Sequence, residues 1–176
     1  MLVGRLAPRL PGFLRRALSL RSTFLEIGAG DCALARCAAG HVERAYAALG
    51  PHHHLAGAAR APNLVPVLSD GVLIPVPEAS VDAALSERLI ERLHPRDVLE
   101  HLQSVRRALR RGGRYFCITS HRCRGLRELF IEAGFREVRF HSRICGLHAE
   151  VPYWMLRAVE AFLGILPCGL RAEALK

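Results

Sequence analysis

The sequence predicts an α/β fold: a mostly parallel, twisted sheet with helices on both faces. Three observations predict it. Residues Phe24 to Asp31, FLEIGAGD, set bulky apolar side chains ahead of a glycine turn and a run of helix formers, the order of a buried parallel strand feeding a helix. Short apolar stretches then alternate with helix-patterned ones, as βαβ units do. Apolar residues make up 51% and charged residues 23% of a 176-residue chain, a globular balance and a length suited to one domain with a core.

Taken in order, residues 1–22 form a basic leading segment, with Arg5, Arg9, Arg15, Arg16 and Arg21 and no acid. Organellar transit peptides share this bias; the reading adopted is a segment, partly helical after Pro11, that packs beside the first strand. That strand supplies Phe24, Leu25 and Ile27, and Gly28-Ala29-Gly30 turns the backbone where side chains would collide. Asp31 is placed to cap a helix from Cys32 to about Gly40. Strand, turn and helix start together leave N–H groups converging on one spot, a receptor for a nucleotide-like ligand.

A second strand follows from Val42 to Ala48. His52, His53 and His54 stand side by side, but neighbours diverge in direction and no partner has metal-ligand spacing, so they read as a solvated loop or helix start. Leu64 to Leu68 is a third strand, ending in Ser69-Asp70-Gly71, and a carboxylate there lies on the edge where open α/β sheets bind ligands. After the proline-punctuated VLIPVPEAS loop, Val81 to Leu85 is a fourth strand, in which Asp82 reads as a capping or loop-anchoring residue.

Pro95 opens the clearest helix at its first position, and Asp97 complements the positive end. Val98, Leu102, Val105 and Leu109 make its buried stripe, and Gly112 is read as its stop. Gly113 to Thr119 is a fifth strand, Gly125 to Ala133 a helix, and Phe135 to Phe140 a sixth strand. The division predicted is 1–22 leading segment, 23–145 sheet domain, and 146–176 an amphipathic helical tail with Trp154 half buried.

Composition restricts the function. A net charge of +9 and a pI near 10.1 permit anionic partners, yet the arginines are scattered and no aromatic stacking platform accompanies them, so no nucleic-acid partner is expected. Six cysteines without a Cys-x-x-Cys pair suit neither zinc nor a secreted disulfide framework; no metal is expected, and reduced thiols point to the cytoplasm. Tyr153 to Leu170, the most apolar run, is interrupted by Arg157 and Glu160 and is not a membrane span.

The ordered motifs LEIGAGD, LSDGVLIPVPEASVDAALS, ERLHP and LRRGGRYFCIT, spread over Phe24 to Phe140, resemble those of class I S-adenosylmethionine-dependent methyltransferases of the type 11 group. The resemblance implies a Rossmann-like sheet with S-adenosyl-L-methionine lying across its first three strands. On it, Glu26 anchors the glycine turn near the cofactor's amino-acid end, and Gly28, Ala29 and Gly30 pass close to methionine and ribose. Asp70 accepts from the adenine amino group with Gly71 beside it, and Ser86, Glu87 and Arg88 face the methyl group and acceptor. His94 and His121 are the candidate bases. A sulfonium and an ammonium call for carboxylates, whereas a pyrophosphate would be repelled by Glu26 and Asp70.

The pattern departs from the family at three places. Leu49 stands where an acid would hold the ribose hydroxyls, a charge-assisted contact worth about 2–3 kcal/mol; Cys32 replaces the third glycine; and few residues separate Ser120 from Leu126, where a substrate-covering segment is common. The chain is also expected to be shortened and to lack the seventh strand that closes the sheet beside the fifth. Three functions therefore stand open: methyl transfer to a small-molecule or lipid-like acceptor, a catalytically degenerate methyltransferase-fold binding or scaffold module, and an NADP-dependent oxidoreductase. The last would use Gly28-x-Gly30-x-x-Ala33, with Arg60 or the adjacent histidines at the phosphate.

Overall fold

The computed structural model describes residues 9–51, 61–119, 125–144, 147–156, 158 and 170–176. Two helices and two parallel strands open the fold: α1 (Gly12–Ala17), β1 (Thr23–Ile27), α2 (Ala33–Ala39) and β2 (Arg44–Leu49). They are followed by β3 (Leu64–Leu68), β4 (Val81–Glu87), a 3₁₀ turn (Ile90–Arg92), α3 (Val98–Ala108) and β5 (Leu109–Thr119). The remainder is α4 (Leu126–Glu132), β6 (Glu137–Ile144), β7 (Leu147–Val151) and β8 (Leu170–Leu175). The eight strands form one sheet in the order β3-β2-β1-β4-β5-β8-β6-β7, parallel from β3 through β5.

β1 lies between β2 and β4 and is paired on both edges, while helices cover both its faces, which suits its buried Phe24, Leu25 and Ile27. One face packs Leu25, Ile27 and Tyr46 against Leu102 and Val105 of α3 and Phe130 of α4. On the other, Phe24, Ala45 and Phe116 meet Leu14 of α1 and Ala35 and Ala38 of α2. Helices thus cover both faces, as expected. The basic segment is tied in by α1, whose Phe13 ring lies 5.1 Å from that of Phe116 and beneath the Arg171 guanidinium.

Three expectations for the C-terminal part need correction. The strand expected to be missing is present: β8 runs antiparallel between β5 and β6. The tail is accordingly not a helix throughout; β7 hairpins onto β6, a helical turn covers 153–156, and β8 completes the sheet. Leu170, Ala172 and Ala174 alternate toward the core, but Leu, Ala and Glu favour helices, and the pairing that overrides this lies far away in sequence. Trp154 is 70% exposed rather than half buried.

Gly112 does not end α3. The backbone leaves the helix at Leu109, and the two glycines sit within β5, where the register against β4 slips between Val81↔Leu109 and Ala83↔Arg114. This is a bulge, and Gly113 is its tight point. A Cβ on Gly113 would come within 2.9 Å of the Arg110 carbonyl and 3.0 Å of that of Val81. Gly113→Ala is expected to destabilise the fold by about 1–3 kcal/mol, read as a lower urea midpoint.

Candidate functional site

The C-terminal ends of β1, β2, β3 and β4 share one edge of the sheet. At the end of β1 the Gly28 and Ala29 N–H groups donate to the Ala48 carbonyl of β2, at 3.0 and 3.1 Å. Gly28 and Gly30 both take positive φ, the conformation that glycine adopts without strain. A Cβ at Gly28 would lie 3.2 Å from the Arg92 guanidinium, whereas one at Gly30 would meet nothing within 4 Å. Open space therefore faces the far side of the turn.

Helix α2 is capped by more than Asp31. Its N-cap is Cys32, a buried residue at φ +56° in the left-handed region that a glycine would adopt freely. Asp31 Oδ1 accepts from the Ala33 N–H at 3.1 Å, and Glu26 Oε2 reaches from β1 to accept from Ala35 at 2.7 Å. Burial pushes the Glu26 carboxyl up to about 7, with the negative charges of Asp31 and Glu87 acting in the same direction and the Ala35 bond opposing. The Arg36 guanidinium also opposes the shift, but burial outweighs it.

At the end of β3, Asp70 Oδ1 accepts from Val72 and Leu73 at 2.8 and 2.9 Å, bending the loop on itself. Ser69 Oγ takes the Gly71 N–H at 3.0 Å and donates to the Leu73 carbonyl at 2.7 Å. Two cavities result. One of about 440 Å³ is walled by Glu26, the glycine turn and Asp31 on one side and by Glu87, Arg88 and Glu91 on the other. The second, about 190 Å³, is walled by Ala48, Gly50, Asp70, Gly71 and Leu89, and Gly28 and Arg92 belong to both.

Glu26, Gly28, Ala29, Gly30, Asp70 and Gly71 are thus brought to one edge. Leu49 is 1% exposed and packs into the core; its neighbours Ala48 and Gly50 line the smaller cavity instead. Ser86 is fully buried and turns inward, its hydroxyl 2.5 Å from that of Tyr115. His94 is exposed, accepts from the Arg96 N–H at 3.3 Å, and lines neither cavity. His121, the histidines at 52–54 and Arg60 lie outside the described residues.

Sequence reasoning named Glu87 and Arg88, which line the larger cavity, but missed Glu91 and Arg92 beside them and one histidine in α3. Arg88 takes φ +51° and pairs with Glu91 at 3.5 Å, while Glu91 also accepts from Thr119 Oγ1 at 3.0 Å. Arg92 Nε donates to the Arg88 carbonyl at 3.1 Å, which sets its guanidinium over Gly28. His101 is fully buried, with Nδ1 2.6 Å from the Gly71 carbonyl and Nε2 2.9 Å from the Tyr115 hydroxyl. One signal was available: His101 follows Val98 by three positions and falls on the apolar stripe.

A family model described as a methyltransferase domain, of type 11, matches residues 25–117. No curated protein matches the chain. Solved structures do. A complex between the Haloferax volcanii Trm112 methyltransferase activator and a methyltransferase aligns at a TM-score of 0.67 and 16% identity, covering 93% of this chain and 87% of that one. An S-adenosylmethionine-dependent methyltransferase from Archaeoglobus fulgidus aligns at 0.66 and 14%, covering 93% and 91%. Haemonchus contortus phosphoethanolamine N-methyltransferase 1, in complex with phosphoethanolamine and S-adenosylhomocysteine, aligns at 0.53 and 22%, over 58% of this chain and 23% of that one. At such identities these structures speak for the fold, and the family match, over more than half of the chain, for the family. The chain belongs to the type 11 methyltransferase domain family of class I S-adenosylmethionine-dependent methyltransferases.

Proposed function

We propose that this protein transfers the methyl group of S-adenosyl-L-methionine to a small-molecule or lipid-like acceptor. The observation that carries the reading is the pair of cavities meeting at Gly28, with Glu26 in the wall of one and Asp70 in the wall of the other. The donor set fits the cofactor: an elongated cation with an adenine at one end and an ammonium at the other meets carboxylates and a side-chain-free turn. A pyrophosphate would meet Glu26 and Asp31 at like charge, which counts against the NADP reading.

When bound, S-adenosylmethionine supplies an electrophilic methyl. Glu26 holds the cationic amino-acid end, Gly28 to Gly30 give the backbone close approach, and Asp70 and Gly71 hold the adenine. Asp70 Oδ2 has no partner among the described residues and is the oxygen left to accept from the adenine amino group. Glu87 and the Arg88–Glu91 pair wall the larger cavity on the acceptor side. Methyl transfer there is a matter of in-line positioning; with His94 outside the cavities and Ser86 turned inward, we place neither at the methyl group.

One observation favours a binding or scaffold module instead: the end of β2 presents Ala48, buried Leu49 and Gly50, with no acid for the ribose. Among the described residues no helix is long and apolar enough to cross a membrane, and the unpaired thiols of Cys32, Cys37 and Cys117 suit a cytoplasmic location. Calorimetric titration with S-adenosylmethionine, S-adenosylhomocysteine and NADPH tests the reading. Micromolar binding of the first two alone is expected, followed by methyl transfer in an acceptor screen; a folded sample that binds none of them supports the scaffold.

A further inference from the structure

Three polar side chains that the site does not use lie buried between its two ends. The Gly71 carbonyl can only accept, so His101 Nδ1 carries a hydrogen and donates to it across 2.6 Å. Burial lowers the His101 pKa to about 4, so the ring is neutral and Nε2 is an acceptor. The Tyr115 hydroxyl therefore donates to Nε2 at 2.9 Å, and Ser86 Oγ donates to the Tyr115 oxygen at 2.5 Å. With the ring neutral, the direction of every hydrogen follows from the carbonyl at its end. Cys117, beside Ser86 and Tyr115, has its thiol pushed up to about 12 by burial and stays neutral.

The Ser69 N–H holds the start of the Gly71 loop to the Leu49 carbonyl of β2 at 2.8 Å, and the rest of the loop is bonded within itself through Ser69 and Asp70. α3 holds it at two points, His101 Nδ1 on the Gly71 carbonyl and Ser104 Oγ on the Ile74 N–H at 2.9 Å. These two residues are three apart and so face the same way from the helix. His101 meanwhile lines neither cavity. It can act on a ligand only through Gly71.

We propose that His101 is a positioning residue for the nucleoside end of the cofactor: it fixes the Gly71 peptide, and with it Asp70, against α3, and through Tyr115 and Ser86 ties that loop to the end of β4. The inference rests on the reading of the Asp70–Gly71 loop as the adenine site. A fixed loop meets the adenine without first being ordered, and the gain appears in affinity. The transfer step itself does not involve His101.

Two substitutions separate positioning from filling space. In His101→Asn the side-chain amide nitrogen stands about where Nδ1 stood and can still donate to Gly71, though the smaller side chain leaves a gap. In His101→Phe the ring remains and the donor is lost. If His101 merely filled the core, Phe would be the milder change. Positioning predicts the reverse for S-adenosylhomocysteine affinity measured by calorimetry: Asn within about threefold of wild type and Phe weaker by about tenfold, the scale of one lost hydrogen bond. In turnover assays the Phe effect is expected in KM for S-adenosylmethionine, with kcat nearly unchanged.

Nitrogen NMR of the wild type supplies a readout that needs no variant. The expected signature is a neutral His101 ring with hydrogen on Nδ1, whose resonances shift when S-adenosylhomocysteine is added. Wild-type binding with Phe equal to or tighter than Asn, or an Nε2–H tautomer, overturns the proposal while leaving the cofactor reading intact. No binding by the wild type, with the Nδ1–H tautomer present, overturns that reading and the proposal resting on it.

Discussion

Glu26→Gln is expected to weaken S-adenosylmethionine binding by about 30- to 150-fold at pH 8, the scale of losing about 2–3 kcal/mol of charge-assisted contact. Glutamine keeps an oxygen to accept from Ala35, so the start of α2 survives and the lost charge is what the experiment reads. Because burial raises the wild-type carboxyl to about 7, protonation competes with the cationic ligand. Wild-type affinity is expected to fall by roughly tenfold per pH unit below 7, while the Gln variant stays flat. Calorimetry from pH 5.5 to 8.5 checks both. A variant that binds like wild type at pH 8 would show that the ligand's cation lies elsewhere.

The same group makes an opposite prediction for the ligand-free protein. Its folded pKa of about 7 exceeds the ordinary 4.5, so the folded state holds the proton more tightly than the unfolded one. The penalty for ionising Glu26 is absent below pH 4.5, grows between 4.5 and 7, and is complete above 7, where it reaches about 3 kcal/mol. Glu26→Gln is therefore expected to raise the urea midpoint of the ligand-free protein at pH 8 while weakening its ligand. A site that costs stability until occupied is the ordinary trade between function and fold.

Asp70→Ala carries the second large effect. It removes the carboxylate proposed for the adenine amino group and also frees the Val72 and Leu73 N–H groups that Oδ1 now accepts. Affinity for S-adenosylhomocysteine is expected to fall on the order of 100-fold, combining a lost contact with the cost of reordering the loop. Asp70→Asn retains an oxygen for the two N–H groups and loses an acceptor, so it is expected to fall by only about tenfold. Equal losses in the two variants would mean that loop geometry is immaterial. Wild-type affinity in both would move the adenine to another part of the edge.

The motif around β1 was legible because its chemistry is local. FLEIGAGD specifies strand, turn and helix within eight neighbouring residues, and Glu26, Gly28 and Gly30 stand where that reading put them. Asp70 was legible for the same reason, as a carboxylate just past a strand end on the ligand-binding edge. What misled was locally ambiguous. LRAEAL reads as helix until β5 and β6 offer it a ladder on either side. Gly112 reads as a helix stop until the register slip in β5 shows that the glycines serve a bulge.

By itself, then, the sequence determined the layered α/β fold and the sheet edge at which the glycine turn, Glu26 and Asp70 gather, because hydrophobic periodicity and turn chemistry act between near neighbours. Only the tertiary structure decided that Ser86 and Leu49 turn away from the cavities, that Arg92 lies over Gly28, and that His101 joins Gly71 to Tyr115. Gly71 and His101 are 30 residues apart, and a hydrogen bond at that separation depends on how α3 is laid across the sheet. Side-chain direction at a strand end is likewise settled by what the neighbouring strands and helices leave uncovered.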